Sequence, residues 1–278
     1  MIVVKTVEEL KDVVFRIKSN GKSVGLVPTM GALHDGHLSL IKRAKNENEV
    51  VVCSIFVNPV QFNNPVDLEK YPRDVERDLR MIEPYVDVAF TPTPENVFPE
   101  PPKEKYNFGK LEQVMEGAFR PGHFNGVGII VKRLFDWTTP DKAYFGEKDF
   151  QQLVIIKHLV KDYNIKTQIV PCPIVREESG LAMSSRNERL SPEDRAKAAN
   201  IYRILKESLK LKDEPIQDIK DFVINEINKI DGFKLDYYEI VDDMTLQPVD
   251  FADLSTGIIG CIAVYVGEVR LIDNIRYK

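Results

Sequence analysis

Cysteine is scarce: the chain has three in 278 residues, Cys53, Cys172 and Cys261, odd in number and widely spaced. Each lies in an apolar, strand-like context. Buried free thiols in a reducing, cytoplasmic compartment are therefore expected, and a disulfide framework or a cysteine-bound metal is not. Histidine is nearly as rare, with four. No apolar run reaches the ~18 residues of a membrane helix. Met1-Ile2-Val3-Val4-Lys5 lacks the long apolar stretch and small-residue cleavage site of a secretory signal. Positive charge is not in excess: 38 Lys and Arg stand against 43 Asp and Glu, a net charge of −5. Nucleic-acid binding by bulk electrostatics is thereby disfavoured, and an anionic ligand must be met by a local site. Repeats and low-complexity segments are also missing. What remains is an ordinary globular composition, 43% hydrophobic and 29% charged, long enough for one large domain or, better, two unequal ones.

The first half alternates strand and helix signals. Ser23–Pro28 is a short apolar run ending at a proline, and after a Gly-rich loop Leu38, Leu40, Ile41 and Ala44 recur at helical spacing. Val50–Val57 is a β-branched run suited to a strand buried on both faces. Asp74–Tyr85 puts Val75, Leu79 and Ile82 on one helical face, with its Asp74 to Asp78 charges reading as a solvated or subunit-facing surface, and Val86–Phe90 reads as the next strand. This order predicts an α/β fold, a Rossmann-like doubly wound parallel sheet with right-handed crossovers. Ligands of such sheets bind beyond the carboxyl ends of the strands, where the loop after Pro28 and the loop Asn58–Phe62 both fall. Thr91–Pro102 reads as an irregular connection, Lys142–Gly146 as a strand end, about Lys148–Tyr163 as a helix and Thr167–Val175 as strand-like. The composition then changes. Ser191-Pro192-Glu193-Asp194 is a helix start, followed by helical patterns at about 192–211 and 215–230 and three possible strands near 235–241, 258–265 and 268–273. The expected division is a nucleotide- and substrate-binding domain over 1–176 and a smaller C-terminal α+β domain over 177–278.

Two of the four histidines share the segment Pro28-Thr29-Met30-Gly31-Ala32-Leu33-His34-Asp35-Gly36-His37. The spacing His-x-Gly-His is not the His-Glu-x-x-His of zinc proteases: Gly36 disfavours a helix through the pair, and no third ligand stands nearby. Gly31 and Gly36 let the backbone approach a ligand closely. The following helix would aim its first N–H groups at that ligand, a ready anion site, and two imidazoles beside it can donate to phosphate oxygens as negative charge builds. A structural turn with two surface histidines is the plain alternative. The order strand, Gly loop, paired histidines, helix favours the anion site.

This segment resembles the His-x-Gly-His nucleotide-binding loop of the nucleotidyl transferase and class I synthetase superfamily, and the full decapeptide is similar to that of the pantothenate synthetase (pantoate–β-alanine ligase) family. Further blocks agree in family order over about residues 23–190: Phe56–Phe62, Tyr71–Asp74, Arg120–Val127, Phe145–Gln152 and Gly180–Asn187. The C-terminal third matches mainly in length and in a weak Tyr237–Asp242 block.

The resemblance implies an ATP-dependent ligase working in two half-reactions, with pantoyl adenylate and pyrophosphate formed first, then pantothenate and AMP. It implies ATP contacts from Met30, Gly31, Ala32, Leu33, His34, Asp35, Gly36 and His37, from Gly146, Glu147, Lys148 and Asp149, from Val175, and from Met183, Ser184, Ser185 and Arg186. The catalytic residues it implies are His37, His34 and Lys148. Pantoate would be held by Pro28, Met30, Gln61 and Gln152, and β-alanine by Asn58 and Gln61. Mg²⁺ is expected to enter with ATP, chiefly on its phosphates. A homodimer is implied, and the C-terminal domain is expected to act as a lid over a hydrolysable acyl adenylate.

The residue chemistry suits these roles. Lys148 can neutralise phosphate oxygens, Asp149 stands where a helix N-cap would, and Gln61 and Gln152 offer neutral amides to a hydroxy acid. Met183-Ser184-Ser185-Arg186 corresponds to the Lys-Met-Ser-Lys-Ser loop of the synthetases, but Ala182 and Ser185 replace its lysines. Cationic work then falls to Lys148 and Arg186. His123, beside Arg120 in a Pro/Gly-rich stretch, reads equally as a site-lining or a structural loop residue, and His158 as a structural or exposed one. Three rivals are disfavoured: a nucleotidyltransferase by the chain length, the second domain and the Gln61 and Gln152 blocks, a synthetase-like enzyme acting on tRNA by the acidic balance, and a non-catalytic nucleotide-binding module because mere binding would not require His34, His37 and Lys148 together.

Overall fold

The computed structural model describes residues 1–249 and 257–278. The chain forms two compact units. The first comprises Met1–Phe108, Arg120–Glu147 and Ile155–Pro173, and the second comprises Gly109–Phe119, Lys148–Val154 and Ile174–Lys278. The helices, in chain order, are α1 (Val7–Ser19), α2 (Asp35–Glu47), α3 (Pro65–Glu69), α4 (Val75–Ile82), α5 (Pro94–Val97), α6 (Met115–Phe119), α7 (His123–Thr138), α8 (Phe150–Asp162), α9 (Pro192–Ser208) and α10 (Ile216–Asn228).

The first unit is built on six parallel strands: β1 (Ile2–Val4), β2 (Val24–Thr29), β3 (Val50–Ile55), β4 (Val88–Phe90), β5 (Lys142–Gly146) and β6 (Gln168–Cys172), in the order β1-β4-β3-β2-β5-β6. From β2 the chain moves through β3 to β4 on one side, then returns to place β5 and β6 on the other. The β2/β5 boundary is therefore the topological switch point, where doubly wound sheets bind ligands beyond their carboxyl ends. All six residues of β3 are buried, as its continuous β-branched run required. On one face of the sheet Leu40, Ile41 and Ala44 of α2 join Val27, Val51, Cys53 and Ala89 in a core.

Pro28 lies inside β2, a central strand, although proline cannot donate to a ladder. Val24 O accepts from Asp141 N on the β5 side, and Thr29 O accepts from Phe56 N on the β3 side. By alternation the N–H that Pro28 lacks would face β5, where pairing has already ended at Leu26. The proline is thus accommodated where the strand opens into the histidine loop.

The second unit carries an antiparallel sheet of β7 (Phe233–Asp242), β8 (Ile258–Val266) and β9 (Val269–Arg276). Alternate residues of β8 enter two cores. Ile262, Val264 and Val266 meet Ile201, Leu205, Val223 and Ile227 of α9 and α10. Ile259, Cys261 and Ala263 meet Met115, Phe150 and Val154, so the segments 109–119 and 148–154 cover the sheet's other face. Beneath them Glu116 receives Arg270 through bonds of 2.8 and 2.9 Å and Tyr237 Oη at 2.9 Å. A doubly wound parallel sheet with a smaller α+β unit matches the architecture that the strand–helix alternation predicted. The three cysteines are free and buried.

Candidate active site

The histidine loop of the first unit departs from the sequence reading in one respect. Gly36 does not keep the pair out of a helix: α2 begins at Asp35, with His34 as its N-cap and His37 in its first turn. First-turn N–H groups have no intrahelical partner, so glycine there forfeits little, and the imidazoles take over the capping usually done by Ser or Thr. His34 Nδ1 accepts from Gly36 N at 3.1 Å, and His37 Nδ1 accepts from His34 N at 3.4 Å. A backbone N–H can only donate, so each Nδ1 is an acceptor. In the neutral ring the proton then sits on Nε2. Both imidazoles, half-buried with centroids 4.1 Å apart, are set as Nε2–H donors beside a helix N-terminus.

The turn feeding this helix is strained. Gly31 has φ +79° and Ala32 φ +49°, and the left-handed region costs an L-residue about 1–2 kcal/mol. Ala32 N donates to Asp78 Oδ2 and Leu33 N to Asp78 Oδ1, both at 2.8 Å. Asp78 is 1% exposed. The expectation that the 74–78 charges form a solvated or subunit-facing face is therefore wrong for Asp78: it stands four residues before fully buried Ile82, on the inward side of α4. Burial pushes its carboxyl up from the ordinary aspartate value, against the pull of the two amide bonds. A cleft of ≈ 340 Å³ opens beside it, lined among others by Met30, Gly31, Ile55, Phe56 and Arg73. Of the residues expected to touch ligand, only Met30 and Gly31 line this cleft.

Gln61 is held on three sides. It ends a single 3-10 turn, Pro59–Gln61, and is buried. Its Nε2 donates to Met30 Sδ at 3.0 Å, and its Oε1 accepts from Asn58 Nδ2 at 3.0 Å. His123 is not a loop residue but the first residue of α7, buried, with Nδ1 2.8 Å from Gln61 O. Arg120 Nη1 donates to His123 Nε2 at 3.3 Å, which makes Nδ1–H the donor to Gln61. Gly126 completes the support: a Cβ there would lie 2.5 Å from Val60 O and 2.7 Å from Gln61 Cα. The block Arg120–Val127 thus holds the Gln61 turn, and Met30, Asn58 and Gln61, three of the expected substrate contacts, are brought together.

Two further groups lie in the second unit. After β5 a 3-10 turn, Glu147–Asp149, leads into α8. Asn274 Nδ2 donates to Lys148 O at 3.1 Å, fixing the backbone, and Lys148 Nζ stands 3.7 Å from Asp149 Oδ2. Gln151, which carried no expectation, anchors the 109–119 segment through Leu111 O, Val114 O and Glu116 N, while Gln152 beside it is half-buried. The second group is a hairpin. Met183 N donates to Val175 O at 3.0 Å and Arg176 bridges Ala182, so Val175 and the 183–186 loop are neighbours. Asn187 clamps the loop by donating to Ala182 O and to Glu177. Arg176 stacks 3.6 Å over Tyr202 and pairs with Asp273. His158 pairs with Asp162 along α8. Among the described residues no three His, Cys, Asp or Glu side chains form a metal-ligand cluster, and no helix is long and apolar enough to cross a membrane.

A six-stranded doubly wound sheet whose switch-point loop is a His-x-Gly-His helix start has the architecture expected of an α/β nucleotide-binding enzyme. Known proteins narrow this. The family model described as Pantoate-beta-alanine ligase matches residues 2–276, and the chain belongs to that family of ATP-dependent ligases. Pantothenate synthetase from Bacteroides fragilis (strain YCH46) is 50% identical, over all of this chain and 99% of its own length. The crystal structure of pantothenate synthetase from Thermus thermophilus superposes with a TM-score of 0.93 at 42% identity, covering 100% of this chain and 99% of its own. That of pantoate-beta-alanine ligase from Francisella tularensis, complexed with beta-gamma ATP and beta-alanine, has a TM-score of 0.84 at 37% identity, covering 100% and 98%.

Proposed function

We propose that the chain joins (R)-pantoate to β-alanine at the expense of ATP, through an enzyme-bound pantoyl adenylate, in the cytoplasm. The observation that carries this reading is the pair of Nε2-presenting imidazoles at the start of α2, in a chain of this family. In the first half-reaction a pantoate carboxylate oxygen attacks the α-phosphorus of ATP, the bond to the bridging oxygen breaks, and pyrophosphate leaves. His34 and His37 donate to the phosphate oxygens as charge grows, Lys148 and Arg186 neutralise it, and the hydroxyls of Ser184 and Ser185 orient the chain of phosphates. In the second, the free amine of β-alanine attacks the acyl carbon, loses a proton and expels AMP. Gln61, locked by Asn58 and Met30, is suited to hold a small polar substrate in one orientation, with Pro28 and Gln152 beside pantoate. Mg²⁺ belongs to the reaction as part of the nucleotide co-substrate.

Incubation with ATP, pantoate and β-alanine should release AMP and pyrophosphate together only when both acids are present. Pyrophosphate released with adenylate retained in the product would mark a nucleotidyltransferase instead, and no turnover with any acid a binding module. The C-terminal unit serves as a lid, shielding the acyl adenylate from water. Labels placed on the two units should change their separation on addition of ATP and pantoate; an unchanged separation in solution removes the lid.

A further inference from the structure

Asp78 is a buried charge that the chemistry above does not use. It belongs to α4, yet both of its oxygens are spent on the histidine loop, one on Ala32 N and one on Leu33 N, each at 2.8 Å. Those amides follow the two left-handed residues Gly31 and Ala32. Alanine does not keep that conformation unless its surroundings impose it. The other constraints come from β2 itself: Thr29 Oγ1 donates to Ser54 O at 2.7 Å and accepts from Gly31 N at 3.3 Å. Leu33, fully buried, then delivers the chain to His34 at the helix start. A carboxylate suits this position because it can receive two neighbouring amides on separate oxygens. An amide side chain would receive one and turn its own N–H₂ against the other.

We propose that Asp78 is a positioning residue for nucleotide activation: it clamps the Gly31–Ala32 turn, and through it sets where the His34 and His37 rings stand when phosphate charge develops. This rests on the reading that the His34–His37 loop handles the ATP phosphates. Asp78 itself touches no reacting atom.

Asp78→Asn keeps the shape and removes the double acceptor. Misplacement of a catalytic group by about 1 Å can cost on the order of a hundredfold, so single-turnover adenylate formation should slow by about ten- to a hundredfold, with KM for ATP and pantoate changed by less than about threefold. Amides 30–37 should exchange with solvent about tenfold faster while those of Val50–Ile55 in β3 do not change, since a local opening leaves the sheet intact. A purely structural role would give the opposite pattern, with strand protection lost together with the loop's and a normal rate per folded molecule. That pattern, or adenylation within about threefold of wild type per folded molecule, overturns the assignment. If Asp78→Asn does not fold, Gly31→Ala reaches the same contact from the loop side, because its Cβ would meet Asp78 Oδ2 at 3.0 Å in a backbone at φ +79°. The same slowing with an intact sheet is expected, and unchanged adenylation overturns the clamp. ATP protection of amides 30–37 in the wild-type enzyme separates the two levels. If ATP does not protect them, the reading of the loop fails and takes Asp78 with it. If ATP protects them and the variants adenylate normally, only the assignment of Asp78 falls.

Discussion

His37→Ala should lower the rate of pantoyl-adenylate formation by about a thousandfold, near the upper end of what removing one preorganised donor to a developing oxyanion costs. The expectation follows from how the ring is fixed. His34 N–H occupies Nδ1, so the proton lies on Nε2 and the ring cannot turn that donor away without losing its cap bond. An interaction that strengthens only as charge builds lowers the barrier without tightening ground-state binding. ATP affinity should therefore change by less than about tenfold while the single-turnover rate collapses. The substitution also removes a helix cap, a loss of about 0.5–2 kcal/mol in stability, which unfolding measurements will separate from the rate effect. A variant with normal single-turnover adenylation would show that His37 is only a cap.

The physical limits of sequence reasoning show in the same loop. Strand and helix order is readable because β3, buried on both faces, is apolar except for Ser54, and because α2 must turn Leu40, Ile41 and Ala44 inward. The helix start is hidden in the sequence because imidazoles are unusual caps and a glycine in the first turn has the signature of a break. Asp78 was misread by residue type, although its position held the signal. It lies three residues after Val75 and four before Ile82, on the stripe that the periodicity had turned inward. Val75 itself proves to be 42% exposed, so the polar residue and not the apolar one occupies the core. The capping box of Thr6 and Glu9 was present and would have announced α1. The helix α7 was harder: Phe124, Val127, Ile129, Ile130, Val131, Leu134 and Phe135 are all buried, so almost no polar face betrays its period. Nothing local could reveal that 109–119 and 148–154 join the second unit. Their partners are the odd-numbered residues of β8, whose continuous apolar run shows that both faces are covered but not by what.

Lys148→Met should slow adenylate formation by about a hundredfold or more, as loss of a charge aimed at a transferring phosphoryl group does, with a much smaller effect on folding. The Lys148 side chain is mostly buried, 17% exposed, and its ion-pair partner Asp149 is 49% exposed and stands at 3.7 Å, beyond hydrogen-bond length. A pair of that kind contributes about 0–1 kcal/mol to stability, and methionine keeps the apolar stem packed. The backbone of Lys148 is meanwhile held by Asn274 whatever side chain it carries. The stable turn and the weakly paired cation are thus separable, as a group reserved for an anion requires. The departure in the 182–186 loop raises the stake: Ala182 and Ser185 supply no ammonium, so Arg186 is the only cation there and a rigid fork cannot follow a moving phosphoryl group as a flexible amine can. Lys148→Arg should for the same reason recover only part of the rate. A normal adenylation rate in Lys148→Met, with pyrophosphate followed in a single turnover, would return the lysine to the status of a helix-start residue and leave the phosphate charge to the histidines and Arg186.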